Sequence, residues 1–252
     1  MKIAVCGQGF VGRAVSGVLS EHHVIEPIDP LLSSRTVESV DVDGVVVCVP
    51  TPQGDKGECD VSYIAQVLDT VEDNTPVLIK STTSISGWSE LVRAYPKHDL
   101  VFNPEFLRQN SAQEDYRDCQ THWLGGTTRA VRWWTAKVLE PVFPNALFHH
   151  VTVEEAILIK YLRNSFLATK VVWFNQAHDL AVSEGVSWDV VRSGVADDPR
   201  IGHSHTEVTA QRGYGGACFP KDVAALLADY DHPLVESAHK WNSINRKDDP
   251  SQ

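Results

Sequence analysis

Along the first 150 residues, apolar and polar positions alternate between two textures. "KIAVC" (2–6), "DGVVVCVP" (43–50), "PVLIKST" (76–82) and "DLVFNPEF" (99–106) are short runs with almost unbroken apolar centres. "GRAVSGVLSE", "VSYIAQVLDTV" and "WSELVRAY" lie between them, with apolar positions recurring every three or four residues. The first texture predicts strands and the second helices. "HVIEPID" predicts a weaker strand, with Pro27 tolerated at a sheet edge because proline has no N–H to give a neighbour. "HWLGG" and "ALFHH" predict two more strands around the helix "RAVRWWTAKVLEPVF". Strands apolar on both faces, alternating with helices, predict an α/β fold: a doubly wound parallel sheet covered on both sides.

The texture changes after His150. "TVEEAILIKYLRNSFLATKVVWFNQAHDLAVSEG" keeps helical spacing with no glycine or proline before its last residue. Thr152, with Glu155 three positions on, forms a capping-box start, and Gly185 forms a stop. "SWDVVRSGVAD", "PKDVAALLADY" and "PLVESAHKWNSINRK" predict three further helices. The expected organisation is an α/β domain at 1–150 followed by a smaller, all-helical domain at 151–252.

Composition narrows the partners. A net charge of -11 argues against nucleic acid and anionic membrane, since both require a positive footprint. The sequence has no apolar run long enough to span a bilayer and no signal peptide, so a cytoplasmic protein is expected. Five cysteines (6, 48, 59, 119 and 218) lack CxxC spacing and read as reduced thiols. The histidines show neither i, i+4 spacing nor nearby cysteine partners, so no metal site is expected.

"GQGFVG" places Gly7, Gly9 and Gly12 directly after a strand and at the opening of a helix, with Phe10 and Val11 in the turn. Glycines there permit a tight turn and close approach of a pyrophosphate, which meets the unpaired N–H groups of the helix. Asp29 follows Gly7 by 22 residues, where an acid accepts ribose hydroxyls. A carboxylate at that point repels a 2′-phosphate, so NAD is the expected cofactor in preference to NADP.

Other segments carry reactive side chains. Lys160 and Asn164, at i and i+4, share a helix face. "STT" (81–83) and "NPEF" (103–106) each follow a strand, which puts Thr82 and Glu105 where open α/β sheets face their ligands. Read singly, these are a solvated helix face, a turn and a surface acid. "YGGACFPKD" is harder to explain structurally: Cys218 has flexible backbone before it and a charged pair after it.

"GQGFVG", "VPTP" (49–52), "KSTTSISG", "NPEFLRQ", "IKYLRNSFLATK", "DPRIG" (198–202) and "GYGGACFPKD" occur in one order, from residue 1 to about 246. In that order they resemble the UDP-glucose/GDP-mannose dehydrogenase family, in particular its UDP-glucose 6-dehydrogenase members. The resemblance implies a Rossmann-like NAD domain and a helical central domain that also dimerises. It implies cytoplasmic oxidation of a nucleotide-sugar C6 alcohol to the carboxylate, as from UDP-glucose to UDP-glucuronate, for polysaccharide biosynthesis. Cys218 would be the nucleophile, passing through a thiohemiacetal and a thioester. Lys160 would stabilise oxyanions electrostatically and Asn164 would hydrogen-bond them. Asp222, with a water held by Thr82, would manage the first proton, and Glu105 would assist thioester hydrolysis. Pro50, Thr51, Ser81, Thr82 and Lys221 would join the glycines at the cofactor. Phe106, Leu107, Arg108, Tyr214 and Gly215 would meet the substrate, and Arg200 would reach it across a homodimer interface.

Two departures stand out. Gln109 occupies a position where relatives often carry a second glutamate. The resemblance also ends short of the family's third, nucleotide-binding domain, so a short form is expected. A two-electron β-hydroxyacid dehydrogenase shares the Lys-x-x-x-Asn helix but gives Cys218 no role. A catalytically silent dinucleotide-binding module has no need of Cys, Lys, Asn and Asp together. Chemistry favours the first reading independently. A thiol adds to an aldehyde, presents a second hydride, and leaves an ester that water cleaves.

Overall fold

The computed structural model describes residues 1–54 and 57–247. The chain divides into two compact units, the first comprising Met1–Gly54 and Cys59–Lys160. The second runs from Tyr161 onward and includes Gly57 and Glu58.

In the first unit, β1 (Lys2–Cys6), α1 (Phe10–Leu19), β2 (Val24–Ile28) and β3 (Gly44–Val47) come first. They are followed by α2 (Ser62–Leu68), β4 (Val77–Ile79), α3 (Ile85–Ala94), β5 (Leu100–Phe102) and α4 (Ala112–Arg117). β6 (Thr121–Gly126), α5 (Thr128–Trp134) and β7 (Leu147–Val151) complete the series, and α6 (Val153–Ser183) begins here. Among the described residues the strands form one seven-stranded sheet in the order β2-β1-β3-β4-β5-β6-β7. Val45, Val46 and Val47 at its centre are fully buried, which is why that run shows no alternation. Each such side chain contributes about 1.5–3 kcal/mol relative to exposure. Pro27 lies on the edge strand β2, opposite Val5.

Two features differ from the pattern read in the sequence. β6 runs antiparallel to β5, pairing Phe102 with Gly125 and Val101 with Gly126, whereas β7 returns parallel to β6. Apolar periodicity reports which face is buried and is blind to strand direction. The two strands approach closely there, since a Cβ on Gly126 would meet the Leu100 carbonyl at 3.0 Å. The β2-to-β3 crossover also contains no α-helix, only the 3-10 turn Val37–Ser39. On one face of the sheet, Val15, Val18 and Leu19 of α1, Tyr116 of α4, and Val131 and Trp134 of α5 pack over Val5, Val46, Leu78 and Leu124.

The second unit holds the rest of α6 with α7 (Trp188–Ala196), α8 (Phe219–Asp229) and α9 (Pro233–Asn245). α6 starts as expected, with the Thr152 and Glu155 side chains each bonded to the other's backbone N–H, and it stops before Gly185 at φ 67°. The 212–216 segment is pinned on both sides. Arg212 reaches both Asp179 oxygens at 2.7 Å, and Asn242 bonds the N–H and the carbonyl of Tyr214. Leu162, Phe166, Trp173 and Leu234 remain exposed. With Arg200 and Ile201 they line a cavity of about 550 Å³.

Candidate active site

The glycine turn forms because the backbone leaves no alternative. Gly7 has φ 86°, and a Cβ there would meet the Cys48 carbonyl oxygen at 2.7 Å. A Cβ on Gly12 would collide with the Gly7 carbonyl oxygen, whereas Gly9 has open space. Gly9 caps α1 without a side chain, so its position offers that helix end no competing acceptor. Phe10 and Val11 pack their side chains against the core. The Asp29 carboxylate is fixed by the Gln8 N–H at 2.6 Å and the Leu31 N–H at 2.9 Å. Gly7, Asp29, Pro30, Pro50, Tyr63 and Val67 line a cavity of about 730 Å³, large enough for a nucleoside. The cradle that a Cβ would fill, the open helix end and the placed carboxylate together fit a dinucleotide. Thr51 is buried beside this region, and Ser81 donates to the Val49 carbonyl at 2.8 Å, tying the β3 and β4 ends together.

Glu105 and Lys160 form a buried ion pair, with Nζ 2.7 Å from Oε1 and 2.6 Å from the Glu105 carbonyl. Their side chains are 6% and 3% exposed. The second Glu105 oxygen accepts the Leu107 N–H at 2.7 Å, and Nζ lies 5.5 Å from the Phe106 ring centroid. Burying two charges costs several kcal/mol per ion, and this close, doubly bonded geometry offsets it. Thr82 is half-buried, with its carbonyl accepting from Cys59 Sγ at 3.1 Å. Arg108 is turned onto Asp115, and their hydrogen bonds hold that carboxyl down at about 2.

Sequence reasoning missed two neighbours. Lys80, 3% exposed, donates to Asn103 Oδ1 at 2.8 Å, and Asn103 donates on to the Trp123 carbonyl. Burial pulls the Lys80 ammonium below its usual range. The available signal was a lysine at the apolar end of β4. His122 is buried as well, and desolvation with the Lys80 charge holds its imidazole down at about 3.

In the second unit Cys218 occupies the N-cap position of α8, with Pro220 in the first turn. Asp222 is fully buried one turn later and accepts Asn164 Nδ2 at 2.6 Å and Lys221 Nζ at 2.7 Å. Cys218, Asp222, Asn164 and Lys221 all stood out in the sequence. Tyr214 is buried, with its hydroxyl 3.1 Å from His239 Nδ1, and burial pushes that phenol up to about 12. The Arg246 guanidinium fills the place that a Cβ on Gly215 would take. Arg200 is exposed and held by Asp198 at 2.6 Å. Burial pushes Cys6 and Cys48 of the first unit up to about 12, which makes them poor nucleophiles. No cluster of three or more His, Cys, Asp or Glu side chains suited to a metal occurs among the described residues.

Residues 31–145 match the NAD-binding domain of the UDP-glucose/GDP-mannose dehydrogenase family, and residues 154–246 match its central domain. The chain belongs to this family. Its NAD-binding domain makes NAD the cofactor. A UDP-glucose 6-dehydrogenase from Rhizobium meliloti is 34% identical over 98% of this chain and 68% of its own length. A UDP-glucose dehydrogenase structure from Pyrobaculum islandicum matches with TM-score 0.84 at 24% identity, over 96% of this chain and 68% of that one. A 3-hydroxyisobutyrate dehydrogenase from Mycobacterium tuberculosis shares the fold, with TM-score 0.74 at 20% identity over 97% of this chain and 94% of that one. Several curated UDP-glucose 6-dehydrogenases are matched over about half their own length. Among the described residues no helix is long and apolar enough to cross a membrane.

Proposed function

We propose that this chain carries out the NAD-dependent, four-electron oxidation of a nucleotide-sugar C6 alcohol to the carboxylate, with UDP-glucose as the first candidate. The observation that carries the reading is the opening of α8. Cys218 stands at the helix N-terminus, and the buried Asp222 is held by Asn164 and Lys221, all within the stretch matching the family's central domain.

NAD, held by the Gly7–Gly12 turn and Asp29, would supply the hydride acceptor, one molecule for each of the two oxidations. Asp222, with a water held by Thr82, accepts the alcohol proton in the first. The Cys218 sulfur then adds to the aldehyde carbon, and the N-terminal dipole of α8 favours the thiolate needed for attack. Lys160 and Asn164 stabilise the oxyanion of the resulting thiohemiacetal. Loss of the second hydride leaves a thioester, and Glu105 takes a proton from the water that cleaves it. Lys160 neutralises the Glu105 carboxylate in the resting protein, so the same ion pair serves oxyanion and water in turn.

A second copy covers Leu162, Phe166 and Trp173 on α6 and brings Arg200 to the neighbouring substrate. The reaction is cytoplasmic and supplies an acidic sugar for polysaccharide synthesis. The test is NADH formation by the full chain over nucleotide sugars, sugar phosphates and β-hydroxy acids. Turnover confined to nucleotide sugars supports the reading, and turnover confined to β-hydroxy acids overturns it. Sedimentation of a monomer with full activity at high micromolar concentration would refute the dimer.

A further inference from the structure

Asp29 is not the only carboxylate with a part in cofactor choice. The turn that follows it is fixed: the Leu32 and Ser33 N–H groups both bond the Asp29 carbonyl, and Arg35 N–H bonds Ser33 Oγ. Ser33, Ser34 and Arg35 therefore line the same 730 Å³ cavity as Asp29. Two serine hydroxyls and a guanidinium beside a ribose site are the donors that a 2′-phosphate requires, since Arg matches phosphate oxygens with a planar fork. Among the described lining residues Arg35 is the cationic one. Its guanidinium is engaged elsewhere, with Nη2 donating to Glu26 Oε2 at 2.7 Å. Lys2 holds the other Glu26 oxygen at 3.3 Å. The Arg35 hydrogen bond holds the Glu26 carboxyl below its usual range, so the pair is charged at neutral pH.

We propose that selectivity for NAD rests on two carboxylates: Asp29 repels a 2′-phosphate from the ribose position, and Glu26 withholds Arg35 from it. The ligand excluded is a 2′-phosphorylated dinucleotide. Releasing Arg35 uncovers part of a latent phosphate subsite, and Glu26, the residue changed to release it, is not among the residues that line the cavity. The proposal rests on NAD binding and not on the oxidation chemistry.

The test is the affinity of the full chain for NAD⁺ and NADP⁺, read by calorimetry. Glu26→Val removes the acceptor and leaves a good strand former on β2. It should tighten NADP⁺ by about fivefold, the most that an exposed ion pair contributes, while NAD⁺ stays within about twofold. The gain should shrink as salt rises, because the released charge is exposed. Arg35→Ala in the Glu26→Val background should return NADP⁺ to the parent value. Glu26→Val with Asp29→Ser should tighten NADP⁺ further, and the single Glu26→Val arm decides the matter if that double variant misfolds. An unchanged NADP⁺ affinity in Glu26→Val, or a gain that survives Arg35→Ala, overturns the proposal. A parent that binds neither dinucleotide refutes the cofactor assignment itself, which is a distinct outcome.

Discussion

Replacing Lys160 by Met keeps the length of the side chain and removes its charge and donors. Glu105 is then left as a buried carboxylate whose Oε1 has lost its ammonium partner, while Leu107 N–H still serves Oε2. Breaking a buried pair from one side costs about 3–5 kcal/mol. The surviving Leu107 bond argues for the lower end, about 3 kcal/mol. At roughly 2–4 °C per kcal/mol for a unit of this size, Tm should fall by about 6–12 °C. Adding Glu105→Gln removes the stranded charge but keeps an acceptor for Leu107 N–H. Lys160→Met/Glu105→Gln should therefore recover most of the lost stability. Activity should not recover with it: under the proposed roles both variants fail to release acid, Lys160→Met for want of the oxyanion partner and the double variant for want of the hydrolytic carboxylate as well. Calorimetric Tm and acid release, measured on the parent and the two variants together with Glu105→Gln, complete the cycle. A double variant no more stable than Lys160→Met would show that the cost is lost packing and not a stranded charge. Full acid release by either variant would remove the pair from the chemistry.

His122 is held neutral in the fold, with its imidazole lowered to about 3. The unfolded chain therefore binds this proton first as pH falls, so stability is lost from about pH 6.5 downward, at roughly 1.4 kcal/mol per pH unit. His122→Phe should flatten the pH dependence of the unfolding free energy, read from urea titrations between about pH 6.5 and 5, by about 2 kcal/mol, and an unchanged slope would refute this. Gly9→Ala has open space and should match the parent Tm, whereas Gly12→Ala drives a methyl onto the Gly7 carbonyl and should lower it and abolish NAD binding. Equal behaviour of the two variants in calorimetry and NAD titration would contradict this steric account of the turn.

How much of this could be read from the chain depends on how local each signal is. The apolar run at Val45–Val47, the capping box at Thr152 and the glycine turn at Gly7–Gly12 act within a few residues, and all were legible. The antiparallel setting of β6 was not, because a period of two gives a face without a direction. The candidate site divides in the same way. Cys218 stood out by residue type in an improbable context, whereas Asn164, at i+4 from Lys160, and Asp222 took their roles from the family resemblance. The Lys80–Asn103–Trp123 chain joins segments that are distant in sequence, and beyond the lysine at the end of β4 nothing local announces it. The Glu26–Arg35 pair was hidden for a similar reason: it forms between an edge strand and the turn after Asp29, which only the fold brings together.

The central claim is that Cys218 carries the second oxidation, and the number of NADH formed per acid released tests it most directly. With UDP-glucose or whichever nucleotide sugar turns over, the parent should form two NADH per acid. Cys218→Ala should bind NAD normally yet release no acid, whether given the alcohol or the aldehyde. One NADH per turnover, with Cys218→Ala as active as the parent, would contradict the account and make the chain a two-electron dehydrogenase.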